Sequence, residues 1–297
     1  MLKELILRKT KFKHIKFNKR HFTTNPVKVV VFIIFSIEAL SLIAALIWGL
    51  ISSLNNHVDL IVNPLTFPKV LHFENYVEAF KILGVTGTPY ITMIWNTIWL
   101  TTGKTMISMC TVVMTAYALG RFKFTGRNVV FTIMLISMMI PLYGSGSATI
   151  IMYHKLGMYD SPLFLLASAS GVGNLTLIVM TFFQTTDSAY DESARIDGAS
   201  KMTIFLKIYV PLVLPSLATV TILAFIGGWN DYATSLYYLP SYKTIATGLF
   251  IYESTAKFNM NKPVYLAGVT VCAIPPMVLF MIFGDKLMTN VTIGGVK

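Results

Sequence analysis

Between positions 185 and 200 the chain gathers four of its thirteen acids, Asp187, Asp191, Glu192 and Asp197, with Arg195 among them. No histidine or cysteine stands near them, so the chemistry on offer is charged docking rather than metal binding or nucleophilic attack. Ser188 with Asp191 three residues on reads as the start of a capping box. The spacing predicts a short helix to Ile196, a left-handed stop at Gly198, and a second helix capped by Ser200 that runs through Phe205 into Pro211. Ser193, Ala194 and Ala199 are small, which keeps this helix-turn-helix thin enough to enter a partner's groove.

Other candidate sites dissolve on inspection. Gly103-Lys104-Thr105 looks like the end of a phosphate-binding loop, but position 98 is Ile98 where that pattern needs glycine, and the preceding residues form an apolar helix. The five histidines lack metal-ligand spacing, and Cys110 and Cys272 lie alone in apolar runs. Gly171-Val172-Gly173 and Gly227-Gly228 are read as close-packing positions within apolar helices. The sequence therefore predicts no catalytic residue, no metal and no cofactor in this chain.

The elements that must position the loop follow from composition. Over 297 residues, charged side chains make up 12% and hydrophobic ones 55%, and the mean hydropathy is +0.66. A soluble core of that size would expose large apolar patches, so a membrane protein is expected. The net charge of +11 comes mostly from an arm, residues 1–28, that carries nine cations against Glu4. Placed directly before an apolar run, the arm reads as a cytoplasmic anchor rather than a nucleic-acid-binding segment. The run from about Val29 to Leu54 is too long for a cleaved signal peptide.

Six stretches are long and apolar enough to cross a bilayer: Val29–Leu54, Tyr90–Leu119, Val129–Met152, Pro162–Phe183, Pro211–Leu236 and Pro263–Met288. Interior prolines such as Pro141 and Pro215 are read as tolerated kinks. Six crossings put both termini on one side. Lys and Arg number 17 on the side of the arm, the 121–127 loop, the 184–210 loop and the tail, against 6 on the other, so both termini are expected in the cytoplasm. With Lys286, near the end of the last span, counted with the tail, Lys104 is the one cation left inside a span, and Glu38 or a carbonyl is its expected partner. The first outer loop should be irregular, with a short amphipathic piece near Asn75–Leu83. A secondary transporter would need acids near the membrane midplane, for which Glu38 is the candidate.

The 185–210 loop resembles the EAA motif of binding-protein-dependent ABC importer permeases. Glu192-Ser193-Ala194 is followed after three residues by Gly198, after nine by Ile208, and after one more by Val210-Pro211. Ser193 and Val210 depart from the pattern's Ala and Leu by small changes in volume. Ala194-Arg195-Ile196-Asp197-Gly198-Ala199 and Trp229-Asn230-Asp231 resemble segments of the sugar branch, as do Asn96-Thr97 and Ala116-Tyr117-Ala118-Leu119. The tail Gly294-Gly295-Val296-Lys297 resembles that of the smaller maltose-type permease.

The resemblance implies an all-α membrane protein with six transmembrane helices, of the type I ABC importer permease (MetI-like) fold, with a cytoplasmic coupling helix. It implies an arm at 1–28, a first helix and outer loop at 29–89, a permease core at 90–288 and a tail at 289–297. The implied role is one membrane subunit of a bacterial importer for a sugar or oligosaccharide. Its partners would be a second homologous permease, an ABC ATPase dimer holding ATP and Mg, and an extracytoplasmic solute-binding protein, with no nucleic acid. Asp191, Glu192, Ser193, Ala194, Asp197 and Gly198 would contact the ATPase, as would the tail Gly294, Gly295, Val296 and Lys297. Tyr143, Ser145, Trp229, Asn230 and Tyr232 are candidates to line the substrate pathway, with a packing or gating role favoured for Trp229-Asn230-Asp231. Tyr242, Lys243, Tyr252 and Phe258, in the long outer loop, would face the binding protein.

Overall fold

The computed structural model describes residues 26–84, 87–140, 146–256 and 260–293, with side chains as far as residue 284. Their regular elements are all helical. The chain divides into two compact units, one ending at Trp48 and the other beginning at Gly49.

Among the described residues, the first unit is most of α1 (Pro26–Ser53), an apolar helix of 28 residues. Phe32, Phe35, Ile37, Leu40 and Leu42 are all more than 60% exposed. A helix that is apolar all round and yet uncovered is suited to lipid.

In the second unit, α2 (His57–Val62) is capped by the Asn56 side chain, which accepts from the Val58 N–H at 2.9 Å. The amphipathic piece expected near Asn75–Leu83 is α3 (Glu74–Ile82). Asn75 is buried and donates to the carbonyls of Ser53 and Asn55, both at 2.9 Å, which ties α3 to the end of α1. Outside the membrane spans, His72 Nδ1 lies 2.6 Å from Glu74 Oε1, and this hydrogen bond holds the Glu74 carboxyl below its ordinary pKa.

The central element is α4 (Tyr90–Arg121), 32 residues long. Pro89 precedes it in extended conformation and Phe122, also extended, ends it. The expected second span is therefore a single unbroken helix. Near its start, Tyr90 and Met93 pack with Ala79, Trp229, Leu249 and Val264. Near its end, Ala116 and Tyr117 pack with Val179, Phe183, Ile204 and Tyr209. The last span agrees as well: α12 covers Lys262–Ile293 through Pro275 and Pro276.

The third, fourth and fifth spans differ from expectation. The third, expected to be continuous over Val129–Met152, is two helices: α5 (Arg127–Met139) and α6 (Gly146–Lys155). Ile140 is extended, at φ −81° and ψ 111°, because the ring of Pro141 disfavours helical geometry in the residue before it. The fourth, expected over Pro162–Phe183, is a 3₁₀ helix at Pro162–Ser168, a break, and α7 (Asn174–Thr185). The break contains Gly171-Val172-Gly173, so these glycines are not helical as expected. Gly173 sits at φ 147°, and a Cβ on Gly171 would collide with the Thr115 side chain of α4. Close approach is real here, but the backbone that makes it is irregular.

The fifth span is displaced. A continuous helix, α9, runs from Lys201 to Trp229, beginning ten residues before Pro211 and ending short of Leu236. It holds a π turn at Phe205–Tyr209, in which the Val210 N–H reaches back to the Phe205 carbonyl. This wide turn directly precedes Pro211, which has no N–H to give the Lys207 carbonyl. After Asn230 the chain restarts as α10 (Tyr232–Tyr238), capped by Asp231, whose Oδ1 accepts from the Thr234 N–H at 3.0 Å. α11 (Ile245–Thr255) follows. Among the described residues, α1, α9 and α12 are long and apolar enough to cross a membrane by themselves, with α5 and α7 as shorter apolar helices.

Candidate functional site

The acid-rich loop is a helix, α8 (Ala189–Ile196), held between α7 and α9. Ser188 was the expected cap, but its backbone is helical and its hydroxyl makes no capping bond. Asp187 supplies the acceptor instead, taking the Ala189 N–H on Oδ1 at 3.0 Å. The longer Asp side chain reaches an N–H two residues on in an Asx turn. The other two signals agree with expectation. Gly198 lies at φ 79°. The Ala199 N–H donates to the Ala194 carbonyl at 2.9 Å and the Gly198 N–H to the Arg195 carbonyl at 3.0 Å, the bond pair of a Schellman stop. Ser200 Oγ accepts from the Thr203 N–H at 3.2 Å and starts α9.

The helix sorts its residues by face. Ala194 is buried in the core with Tyr117, Phe183 and Tyr209. Asp191 pairs with Arg195 at 2.7 Å along the helix. Glu192, Ser193 and Asp197 are exposed, and Glu192 has no ion-pair partner among the described residues. Ile196 is 86% exposed and Tyr190 49%. Beside α8 opens a cleft of about 840 Å³ lined by Arg121, Phe122, Lys123, Asp191, Glu192 and Lys201. On its exposed side α8 thus presents a carboxylate at Glu192 and an apolar side chain at Ile196, groups suited to charged and apolar contact.

A second cluster lies at the end of α9. Lys104 Nζ is 2.7 Å from Asp231 Oδ2 and 3.2 Å from Thr234 Oγ1, and Thr234 also donates its hydroxyl to Asp231. The partner of Lys104 is thus Asp231, not the expected Glu38 or a carbonyl. The signal was present, since Asp231 falls inside the expected fifth span, as Lys104 does in the second. The two side chains are 22% and 26% exposed and line a cavity of about 300 Å³ with Thr105, Ser108 and Ser168.

The candidate pathway residues separate here. Trp229 is 3% exposed, and its Nε1 donates to the Cys272 carbonyl at 2.9 Å, a packing role. Asn230 is exposed and turns its amide back to the Ile226 carbonyl. Tyr232 is 41% exposed and stacks on Phe250 with ring centroids 4.4 Å apart. Tyr143 and Ser145 lie outside the described residues.

In the long loop after α10, Tyr242 meets Trp99 edge to face at 5.6 Å. The Lys243 carbonyl accepts from Asn96 at 3.1 Å. Tyr252 stacks on Tyr265. All three residues are half-buried. Asp160, at φ 48°, adds a brace by accepting from the Ser241 N–H at 2.8 Å and its hydroxyl at 2.6 Å. Phe258 and the tail residues Gly294, Gly295, Val296 and Lys297 lie outside the described residues. One residue that sequence reasoning passed over is Arg121, whose guanidinium touches both ends of the loop carrying α8.

The chain has counterparts among known proteins. The maltodextrin transport system permease protein MdxG of Bacillus subtilis is 30% identical over 214 residues, 71% of this chain and 77% of the relative. The galactooligosaccharides transport system permease protein GanQ of the same species is 29% identical over 270 residues, 90% of this chain and 94% of the relative. The sulfoquinovosyl glycerol transport system permease protein SmoH of Agrobacterium fabrum is 26% identical over 263 residues, covering 84% and 87%. In three dimensions the chain is similar to one chain of a bacterial ABC transporter involved in the import of the acidic polysaccharide alginate. The TM-score is 0.74 at 21% identity, over 89% of this chain and 98% of that one. Residues 112–292, which include α8, the Lys104 partner Asp231 and most of the packed helices, match a family as a whole, and the chain belongs to it: the binding-protein-dependent transport system inner membrane components.

Proposed function

We propose that this chain is one of two permease subunits of an ABC importer that takes up a sugar or oligosaccharide. Both its termini would be cytoplasmic, and α8 would be the helix that an ATPase subunit grips. The observation that carries this reading is α8 itself: a capped helix between two packed ones, with Glu192 unpaired among the described residues and Ile196 uncovered. The carbohydrate class follows from relatives named for maltodextrin, galactooligosaccharides and sulfoquinovosyl glycerol transport.

A second, homologous permease completes the pathway. An ATPase dimer holds the ATP and Mg, and its closure is carried through α8 to the helices. Asp191, Glu192, Ser193, Ala194, Asp197 and Gly198 form the contact, with Glu192 against a basic side chain. The tail Gly294–Lys297 reaches the ATPase as well. A solute-binding protein delivers the sugar on the opposite face, near Tyr242, Lys243, Tyr252 and Phe258, and Tyr232 borders the pathway. The chain itself carries no cofactor.

Purification from its native membrane in mild detergent tests the reading. The chain should bring down one homologous permease and an ATPase, and mass spectrometry of retained small molecules should find a carbohydrate. Recovery without an ATPase, or with a peptide or amino acid as the retained solute, would sink the proposal.

Orientation has its own check. In cells whose Cys110 and Cys272 are replaced, an impermeant maleimide should label Phe250→Cys from outside and should not label Arg195→Cys until the membrane is opened. Labelling of Arg195→Cys in intact cells would reverse the assignment.

A further inference from the structure

One guanidinium holds both ends of the loop that carries α8. The end of a helix leaves carbonyls with no partner inside the helix. At the end of α7, Arg121 supplies two: its Nη1 donates to the Phe183 carbonyl at 3.3 Å and to the Thr186 carbonyl at 2.9 Å. Thr186 is where the chain leaves α7 for the loop. The Arg121 Nη2 donates to the hydroxyl of Tyr209, in the π turn where the chain has come back. The guanidinium carbon also lies 4.6 Å from the centre of the Tyr209 ring. Three acceptors in different directions match a planar fork of five N–H groups and not the point charge of a lysine.

Arg121 is the last residue of α4. One turn back, Tyr117 packs on Phe183, Phe205 and Tyr209. Further along the same uninterrupted helix stand Ser108 and Lys104, roughly 20 and 26 Å away at the α-helical rise, both lining the cavity with Asp231. A displacement of the loop cannot leave α4 behind without breaking three hydrogen bonds at once.

We propose that Arg121 is a positioning residue that passes movement of the α8 loop to α4, and so to the cavity at Lys104, Ser108 and Asp231. The proposal rests on the reading of α8 as the ATPase's docking helix. Arg121 does not itself hold the ATPase, so docking and transmission separate.

The test uses the whole importer, reassembled with its second permease and ATPase in lipid, with Cys110→Ser and Ser108→Cys in this chain. The probe is Mg-ATP trapped with orthovanadate, and the readout is the maleimide labelling rate at position 108. In the parent, trapping should change that rate at least fivefold. With Arg121→Gln the ATPase should be retained and the nucleotide trapped, while the change falls below twofold. Arg121→Lys should recover part of it, since charge returns without the fork. A full parental response in Arg121→Gln overturns the proposal. So does loss of the ATPase from that variant, because Arg121 would then shape the docking surface itself. If Arg121→Gln fails to assemble, Tyr209→Phe is read in the same assay. It removes one acceptor and keeps the ring, and should reduce the response by about half; a parental response there overturns the proposal equally. A parent that retains its ATPase but shows no change at position 108 overturns the transmission proposal and leaves the docking reading standing. Retention of the ATPase by Glu192→Ala removes the docking reading, and the Arg121 proposal with it.

Discussion

Glu192→Ala is expected to release the ATPase and abolish uptake while leaving the chain folded in the membrane. Glu192 is exposed on α8 and forms no ion pair among the described residues, so its loss costs the isolated subunit nothing comparable. In the complex, its carboxylate would lie beside a basic side chain and be partly desolvated. Removing one member of such a pair typically costs about 2–5 kcal/mol, much of it from the charge left stranded on the partner. That corresponds to a weakening of docking by roughly 30- to 4,000-fold. Gly198→Val should harm the same step by another route. The residue sits at φ 79°, which a β-branched side chain resists, and the Schellman bonds from Gly198 and Ala199 fix the angle at which α8 is presented. Both variants should still co-purify with the second permease. Pull-down of the ATPase measures the effect, and undiminished retention by Glu192→Ala would show that α8 is not the coupling element.

Lys104→Met should lower the thermal stability of the purified subunit, and adding Asp231→Asn should restore most of it. Removing one partner of a fully buried pair costs about 3–5 kcal/mol, whereas replacing both with neutral groups is often nearly neutral. Lys104 and Asp231 are about a quarter exposed, so solvent screening reduces the single-variant loss to about 1–3 kcal/mol. For a chain of this size each kcal/mol moves Tm by about 2–4 °C. Asparagine is chosen at 231 because it still caps α10, accepting from the Thr234 N–H as Asp231 does. Equal melting temperatures for the parent and Lys104→Met, or a double variant no better than the single, would remove the pair's structural role.

What the sequence made legible was local. Gly198, Ser200 and the run to Ile196 specify α8 and its turn through bonds between near neighbours, and the structure has them. The long apolar segments of α1 and α12 were equally plain, because length and hydropathy are properties of the segment alone. The misjudged places depend on competition. Ser188 lost the cap to Asp187, two acceptors one residue apart whose reach differs by one bond. Pro141 and Gly171–Gly173 sit in stretches apolar enough to pass as single spans, and hydropathy does not record whether a backbone stays helical. The Lys104–Asp231 contact and the grip of Arg121 join residues 127 and 88 positions apart. Pairings at such separations are set by packing of the folded helices, and no spacing rule expresses them.

The broken third and fourth segments bear on how this protein is made. α5 has 13 residues and α7 has 12, lengths of roughly 20 and 18 Å at 1.5 Å per residue, against a hydrocarbon layer of about 30 Å. Neither helix alone is long enough for a complete crossing, and the break before α7 has peptide groups that lipid cannot satisfy. Their stable lodging in the bilayer therefore waits for protein neighbours. α4, already synthesised, can receive the break before α7 at Thr115 and Gly171, and α9, not yet synthesised, must arrive to complete the cluster in which Val179, Met180 and Phe183 of α7 are buried. Biogenesis of this subunit is accordingly not a row of independent insertions read off one by one at the translocon. The middle of the chain becomes a membrane protein only after its later part has emerged, so premature termination before α9 should yield a product that is cleared rather than a shorter permease.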